Sequence, residues 1–363
     1  TAIQHTGTIM ILIHGGSLVL VIHWMAACYI LRIIAYICLA TRFFSFSAMI
    51  PGFSAEAVKR IAGFAASLMS ITVFSVIHLN ADRIIISKLL PIGMVGYFGV
   101  ASANVNRARF LTNSVAQAAY PAFSEKFKQG SREEMMRQYR KLQDFICFAL
   151  APVMALVPFA LLPLFSYMLN EQAAQMLLLP TTLLAAALYM NGALNVQHSL
   201  VIAVGRPGIP ARLNFYALFV VLPATFLLIY YGNIYGGGYG GLVGAGVSRV
   251  FYVVFAYCYA VPMVCRECLK IPALQWFARV GRFYVLVAVT YGVAWAVHNA
   301  VGDYSIPSLA VAYLAGTIAF LAAGYFLICN ELRETLLANI KLIKTKLANG
   351  VRQIASPDEP PSL

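Results

Sequence analysis

The chain has 363 residues, 61% hydrophobic and only 11% charged, with mean hydropathy +0.78 and formal net charge +13. Soluble domains carry about 25% charged residues, so this composition excludes an ordinary soluble globule. The apolar residues come in runs of about 20, the length that crosses a bilayer as a helix, and a membrane β-barrel is excluded because its strands are shorter and alternate in polarity.

The expected class is an all-α polytopic membrane protein with about ten spanning helices. Taken in order, the candidate spans are 3–22, 24–41, 57–90, 94–121, 143–169, 173–204, 210–231, 239–262, 281–300 and 306–328. The chain starts at Thr1 and enters an apolar run almost at once, as expected of a fragment whose N-terminal part is missing. Twenty of the 26 Lys and Arg fall in five regions: 42–60, 122–142, 205–212, 263–282 and the tail. The connections 91–94, 170–173, 232–238 and 301–305 carry none. Cytoplasmic loops of membrane proteins collect Lys and Arg, so the alternation predicts a cytoplasmic side for the five basic regions and for both ends. It also explains the net charge without nucleic acid.

Six cations remain inside or at the ends of apolar segments: Arg32, Arg83, Lys88, Arg107, Arg109 and Arg249. Charges in spans cost about 2.5–3.5 kcal/mol each on insertion scales and mark polar pathways. In the third segment Asn80, Arg83 and Ser87 share a helix face, with Asp82 on a neighbouring one and Lys88 about halfway between. Asp82 is expected to pair with a cation from another helix. In the fourth, Ser102, Asn106, Arg109, Asn113 and Gln117 step by four, three, four and four along one polar face, and Arg107 stands on a second face with Asn104 and Ser114. Asn191, Asn195 and His198 repeat the pattern more weakly. For Asn104, Ser114 and Asn191 the plainer reading is hydrogen bonding between helices. The remainder points to a water-filled cavity bounded by Asp82, Arg83, Lys88, Asn106, Arg107, Arg109, Asn113, Gln117 and Arg249. Its cationic surplus calls for an anionic cargo, and guanidinium matches phosphate oxygens in pairs.

Other motifs are weaker. Gly236, Gly238 and Gly241 spell a formal dinucleotide fingerprint. No preceding strand supports it, so the stretch 233–246 reads as an outer turn whose glycines permit close helix packing. Cys265 and Cys268 form a lone CxxC without a second ligand pair. The histidines are scattered. No catalytic group, metal or cofactor is expected. Ser131-Arg-Glu-Glu134 reads as a capping box leading into the span at 143. In 331–348 the apolar positions Leu332, Leu336, Ile340, Ile343 and Leu347 suit a cytoplasmic helix lying on lipid headgroups, or equally a solvated continuation of the last span. Residues 349–363 read as a disordered tail.

The run Leu79-Asn-Ala-Asp-Arg-Ile-Ile-Ile-Ser-Lys-Leu-Leu-Pro, then Val95-Gly-Tyr-Phe-Gly-Val-Ala, resembles bacterial polysaccharide-transport proteins. Tyr120-Pro-Ala-Phe-Ser and Tyr239-Gly-Gly-Leu-Val-Gly-Ala-Gly are similar to the same family. These are the O-antigen and lipid-linked oligosaccharide flippases of the multidrug/oligosaccharidyl-lipid/polysaccharide exporter superfamily. The resemblance implies a MATE-like two-lobe fold: 1–41 as the last two helices of the first lobe, 57–262 as the six-helix second lobe, and 281–328 as an additional pair. It implies an inner-membrane carrier for an undecaprenyl-pyrophosphate-linked glycan. Its surroundings would be the lipid bilayer and other glycan-assembly membrane proteins. Two readings stand beside it. A drug–cation antiporter of the same superfamily would favour an acidic cavity. A membrane glycan polymerase or glycosyltransferase would need a large outer loop or an acidic motif.

Overall fold

The structure, a computed structural model, describes residues 2–43, 54–302, 305–339 and 341. Their regular elements are all helical. They fall into two compact units, Thr1–Ala62 and Gly63–Leu363.

In the first unit, α1 (Ala2–Ile13) and α2 (Leu18–Ala40) meet at a tight turn. The first expected span, 3–22, therefore stops at Ile13. Gly15 adopts φ +72 and Ser17 Oγ accepts the Leu20 amide, so a left-handed residue and an N-cap end one helix and start the next within a single apolar run. Twelve residues reach only about 18 Å, short of the ~30 Å hydrocarbon core. Gly7 makes room for the Trp24 ring, whose indole N–H donates to the Gln4 carbonyl at 3.1 Å.

The second unit opens within α3 (Ala55–Leu89). It continues through α4 (Ile92–Arg107), α5 (Arg109–Lys128), α6 (Arg132–Met168), α7 (Glu171–Ala203) and α8 (Gly208–Val264). A π-helical turn at Cys265–Leu269 leads to α9 (Ala273–Val301) and α10 (Ile306–Leu327), and residues 330–339 are again helical. Seven helices among the described residues are long and apolar enough to cross a membrane, α8 and its π turn counted once. Helix α7 is the central post, with buried residues along most of its length, whereas α3 buries few of its side chains.

Helix α8 is bent back on itself. Gly237 takes φ 59, ψ −156, which only glycine adopts readily, and the two arms separate there into the expected spans 210–231 and 239–262. A Cβ at Gly240 would overlap the Gly232 carbonyl, and one at Gly244 the Leu228 carbonyl, so missing side chains let the two backbones touch. The expected span 94–121 is interrupted at Ala108, where Ala108 N–H donates to Val105 O and Leu111 N–H to Ala108 O in three-residue steps.

Side-chain contacts gather the basic connections at one end of this unit. Arg132 donates to the Leu269 carbonyl at 3.0 Å, and Arg206 lies 3.9 Å from Glu267. The carboxylate of Asp144, 0% exposed, takes two 2.8 Å bonds from Arg279 and the Cys329 amide at 2.9 Å, with Arg282 at 3.5 Å. Asp82 is thus one of two buried carboxylates among the described residues, and Arg279 and Arg282 are structural partners beyond any topological role. The clamp joins α9 and the end of α10 to α6. The opposite end closes with Asn233 donating to the Leu89 carbonyl at 3.4 Å and with Leu90 against Gly241.

Helix α6 starts where the Ser131 motif places it, yet neither bond of a capping box forms. Ser131 makes no side-chain cap, and Glu134 turns to Lys126 at 2.6 Å, a stronger charge-assisted partner than a backbone amide. In 330–339, Leu332 is buried and Leu336 packs against the same apolar cluster, so protein covers this part of the amphipathic face. Ile340, Ile343, Leu347 and the tail 349–363 lie outside the described residues, as does most of the loop after α2.

Candidate functional site

Helices α3, α4, α5, α7 and α8 enclose a cavity of about 530 Å³. Its wall on α3 carries Ser75, His78, Asn80, Asp82 and Arg83. The wall on α4 and α5 carries Ser102, Asn106, Arg109 and Asn113, four members of the ladder read from spacing. The interruption at Ala108 does not break that wall. Asn191, Asn195, Gln197 and His198 come from α7, and Asn214, Arg249 and Tyr252 from the two arms of α8.

The deepest polar contact is an ion pair between α3 and α8. Arg249 reaches Asp82 Oδ2 through Nε at 2.9 Å and Nη2 at 2.7 Å. The other carboxylate oxygen accepts the Arg83 amide at 3.0 Å. The Asp82 side chain is 3% exposed and that of Arg249 is 19%, so the acid is sealed and the guanidinium reaches the cavity. Asp82 had to find a cation on another helix, and Arg249 is that cation. Other polar contacts repeat the connection. Tyr252 donates to Asn214 Oδ1 at 3.3 Å, and Asn214 donates to Ser75 Oγ at 3.3 Å. The His78 and Tyr252 rings pack against each other at a 32° tilt, with centroids 4.2 Å apart. Polar side chains along the cavity thus fasten α3 to α8, beside apolar contacts such as the Phe74–Phe215 ring pair.

Arg83 and Arg109 line the same space with no carboxylate partner among the described residues. Three guanidinium groups against one carboxylate leave two positive charges in excess. In a low-dielectric surrounding such an excess attracts anions strongly. His78 is 8% exposed, and neither of its ring nitrogens has a hydrogen-bond partner among the described residues.

Lys88, Arg107 and Gln117 stand outside the lining, and all three are exposed. Lys88 sits in the last turn of α3, beyond the cavity. Arg107 ends α4 on the adjacent face. Gln117 lies one turn past Asn113, where α5 has left the cavity. Asn104 and Ser114 bond carbonyls of their own helices, at Val100 and Phe110, instead of bridging between helices.

Sequence reasoning passed over His78 and Tyr252. The available signals were spacing: His78 lies one turn before Asp82, and Tyr252 lies three residues after Arg249. Cys265 and Cys268 are buried in the apolar cluster beside the π turn. No group of three or more potential metal ligands occurs among the described residues.

Residues 2–177 match a family model described as polysaccharide biosynthesis protein. The matched stretch runs from α1 into the first turns of α7 and contains Asp82, Arg83 and Arg109; Arg249 lies beyond it. No curated protein and no solved structure matches the chain. Over residues 2–177, just under half of its length, the chain is similar to the polysaccharide biosynthesis protein family, and its architecture is that of an all-helical, multi-pass membrane protein.

Proposed function

We propose that the chain is a flippase that carries a polyprenyl-pyrophosphate-linked oligosaccharide across the inner membrane for cell-surface polysaccharide assembly. The observation that carries this reading is the charge of the cavity. Arg83, Arg109 and Arg249 face one carboxylate within a bundle of spanning helices. An anionic cargo offsets the cost of that excess, and guanidinium forks suit phosphate oxygens. Asn106, Asn113 and Asn195 add neutral donors and acceptors of the kind sugar hydroxyls need. A volume of about 530 Å³ falls in the usual range for a bound small-molecule group. It suits the pyrophosphate and nearest sugars, with the lipid tail left in the bilayer.

In this reading Arg83 and Arg109 grip the phosphate, and Asp82 holds Arg249 in place. The basic connections and both ends face the cytoplasm. Residues 57–262 act as one lobe of a MATE-like pair, with 1–41 from the other lobe and 281–328 as an added pair. The lobes rock between inward- and outward-facing states around the cargo. The single cavity carboxylate is engaged by Arg249, which supports a carrier over a glycosyl-transfer enzyme needing a free acid–base pair. The test is surface glycan in cells carrying Arg109→Ala or Arg83→Ala at normal membrane levels. Each is expected to lose most surface glycan, and full activity in both would sink these assignments.

A further inference from the structure

A second cavity, about 740 Å³, opens at the basic end of the bundle, away from the site above. Four arginines border it: Arg132, Arg137, Arg140 and Arg279, against Glu133 and Glu331. Glu133, Met136, Arg137 and Arg140 follow i, i+3, i+4, i+7, so they share one face of α6. Asp144 continues that row one turn deeper and holds Arg279 through Nε and Nη2, both at 2.8 Å. The guanidinium is thereby fixed in place before any ligand arrives, and with Asp144 counted beside Glu133 and Glu331 one cation remains in excess at the border.

The remaining wall is apolar, with Met136, Leu269 and Ile271. The cavity also lies at termini of α6, α9 and α10, and Arg140 comes one turn before the apolar run that starts at 143, a position expected close to the lipid headgroups. Arginines beside an apolar wall at that level fit a phosphate attached to a glycerol and acyl chains better than a free ion. Basic pockets between spanning helices are recognised as headgroup sites on chemical grounds.

We propose that this cavity binds the phosphate of an anionic phospholipid headgroup. It does not depend on what the central cavity carries.

The experiment compares the full chain with its R137Q/R140Q variant in nanodiscs or mixed micelles containing phosphatidylglycerol or phosphatidylcholine. Both arginines are exposed and outside the Asp144 clamp, so the variant is expected to keep its thermal unfolding and membrane level. If the double variant does not accumulate, the single variants R137Q and R140Q take its place. Each arginine near a charged headgroup is worth about fivefold in affinity, so the pair is worth about thirtyfold for phosphatidylglycerol. Phosphatidylcholine binding is expected to be weaker and unchanged. Inorganic phosphate is expected to displace the lipid only at concentrations far above the lipid's own; displacement at equal concentration would assign the cavity to a free phosphate and overturn the proposal. Phosphatidylglycerol affinity within twofold of the unmodified chain, or equal binding of the two lipids, overturns the proposal.

Discussion

Breaking the Asp82–Arg249 pair has unequal costs on its two sides. Arg249→Gln leaves a carboxylate that is 3% exposed and loses both bonds to Oδ2, keeping only the Arg83 amide on Oδ1. An unpaired buried charge of this kind costs about 3–5 kcal/mol. Asp82→Asn leaves Arg249, whose side chain is 19% exposed toward a polar cavity, so water can solvate it. That loss is expected at about 1–3 kcal/mol, below the buried-pair range. The double variant D82N/R249Q has no buried charge and two amides able to hydrogen-bond. It is expected to be more stable than R249Q alone, with a coupling energy of at least about 2 kcal/mol. The assay is the folded fraction of detergent-purified full chain against temperature, for all four members of the cycle. Additive losses, or a D82N loss equal to or larger than that of R249Q, would refute the account of a sealed acid and a solvated base.

Four further outcomes follow. Asp144→Asn removes the charge and one of the two acceptor oxygens that hold Arg279, Arg282 and the Cys329 amide, and since these guanidinium groups are 25% and 35% exposed, a loss of about 1–3 kcal/mol is expected in the same unfolding assay. Gly240→Ala or Gly244→Ala places a methyl against a backbone carbonyl and is expected to cost about 1–3 kcal/mol, whereas Gly236→Ala meets nothing within 4 Å and should be close to neutral. Cysteines replacing Asn106 or Asn113 are expected to react with a water-soluble maleimide in membranes, and one replacing exposed Ile84 is not; equal labelling would contradict a hydrated cavity. Lys126 holds the Glu134 carboxyl below its ordinary 4.5 through a hydrogen bond and its charge, and Glu134 holds the Lys126 ammonium above its ordinary 10.5. The small stabilisation from this exposed pair is therefore present between those values. It fades as pH falls through the lowered carboxyl pKa or rises through the raised ammonium pKa, and Glu134→Gln should be indistinguishable from the unmodified chain at both extremes.

Much of this architecture is legible in the residues. Long apolar runs announce the helices, because a bilayer leaves the backbone few alternatives. The glycines at 232–246 announce the close-packed hairpin. The stepping of Ser102, Asn106, Arg109 and Asn113 by four, three and four places them on one wall by spacing alone. Other features depend on tertiary contacts that spacing does not encode. Asp144 sits at the start of an apolar run, just after six cations, and reads as part of a boundary. Only the fold reveals that Arg279, 135 residues away, closes over it. The interruption at Ala108 has no glycine or proline to signal it. The turn at Gly15–Ser17 does carry its signals, and the surrounding apolar run masks them. Lys88 and Arg107 resemble Arg83 and Arg109 in type and depth, and only helix rotation and end position put them outside the cavity.

The central claim concerns movement of a phosphate-linked glycan through the cationic cavity. It is tested most directly by reconstituting the full chain in liposomes loaded with polyprenyl-pyrophosphate-linked oligosaccharide. The readout is the rate at which glycan from the inner leaflet becomes accessible to a glycosidase added outside. The unmodified chain is expected to accelerate that exposure well above protein-free liposomes, and Arg109→Ala, at equal reconstitution, is expected to remove most of the acceleration. No acceleration by the unmodified chain, or equal acceleration by the two, would contradict it.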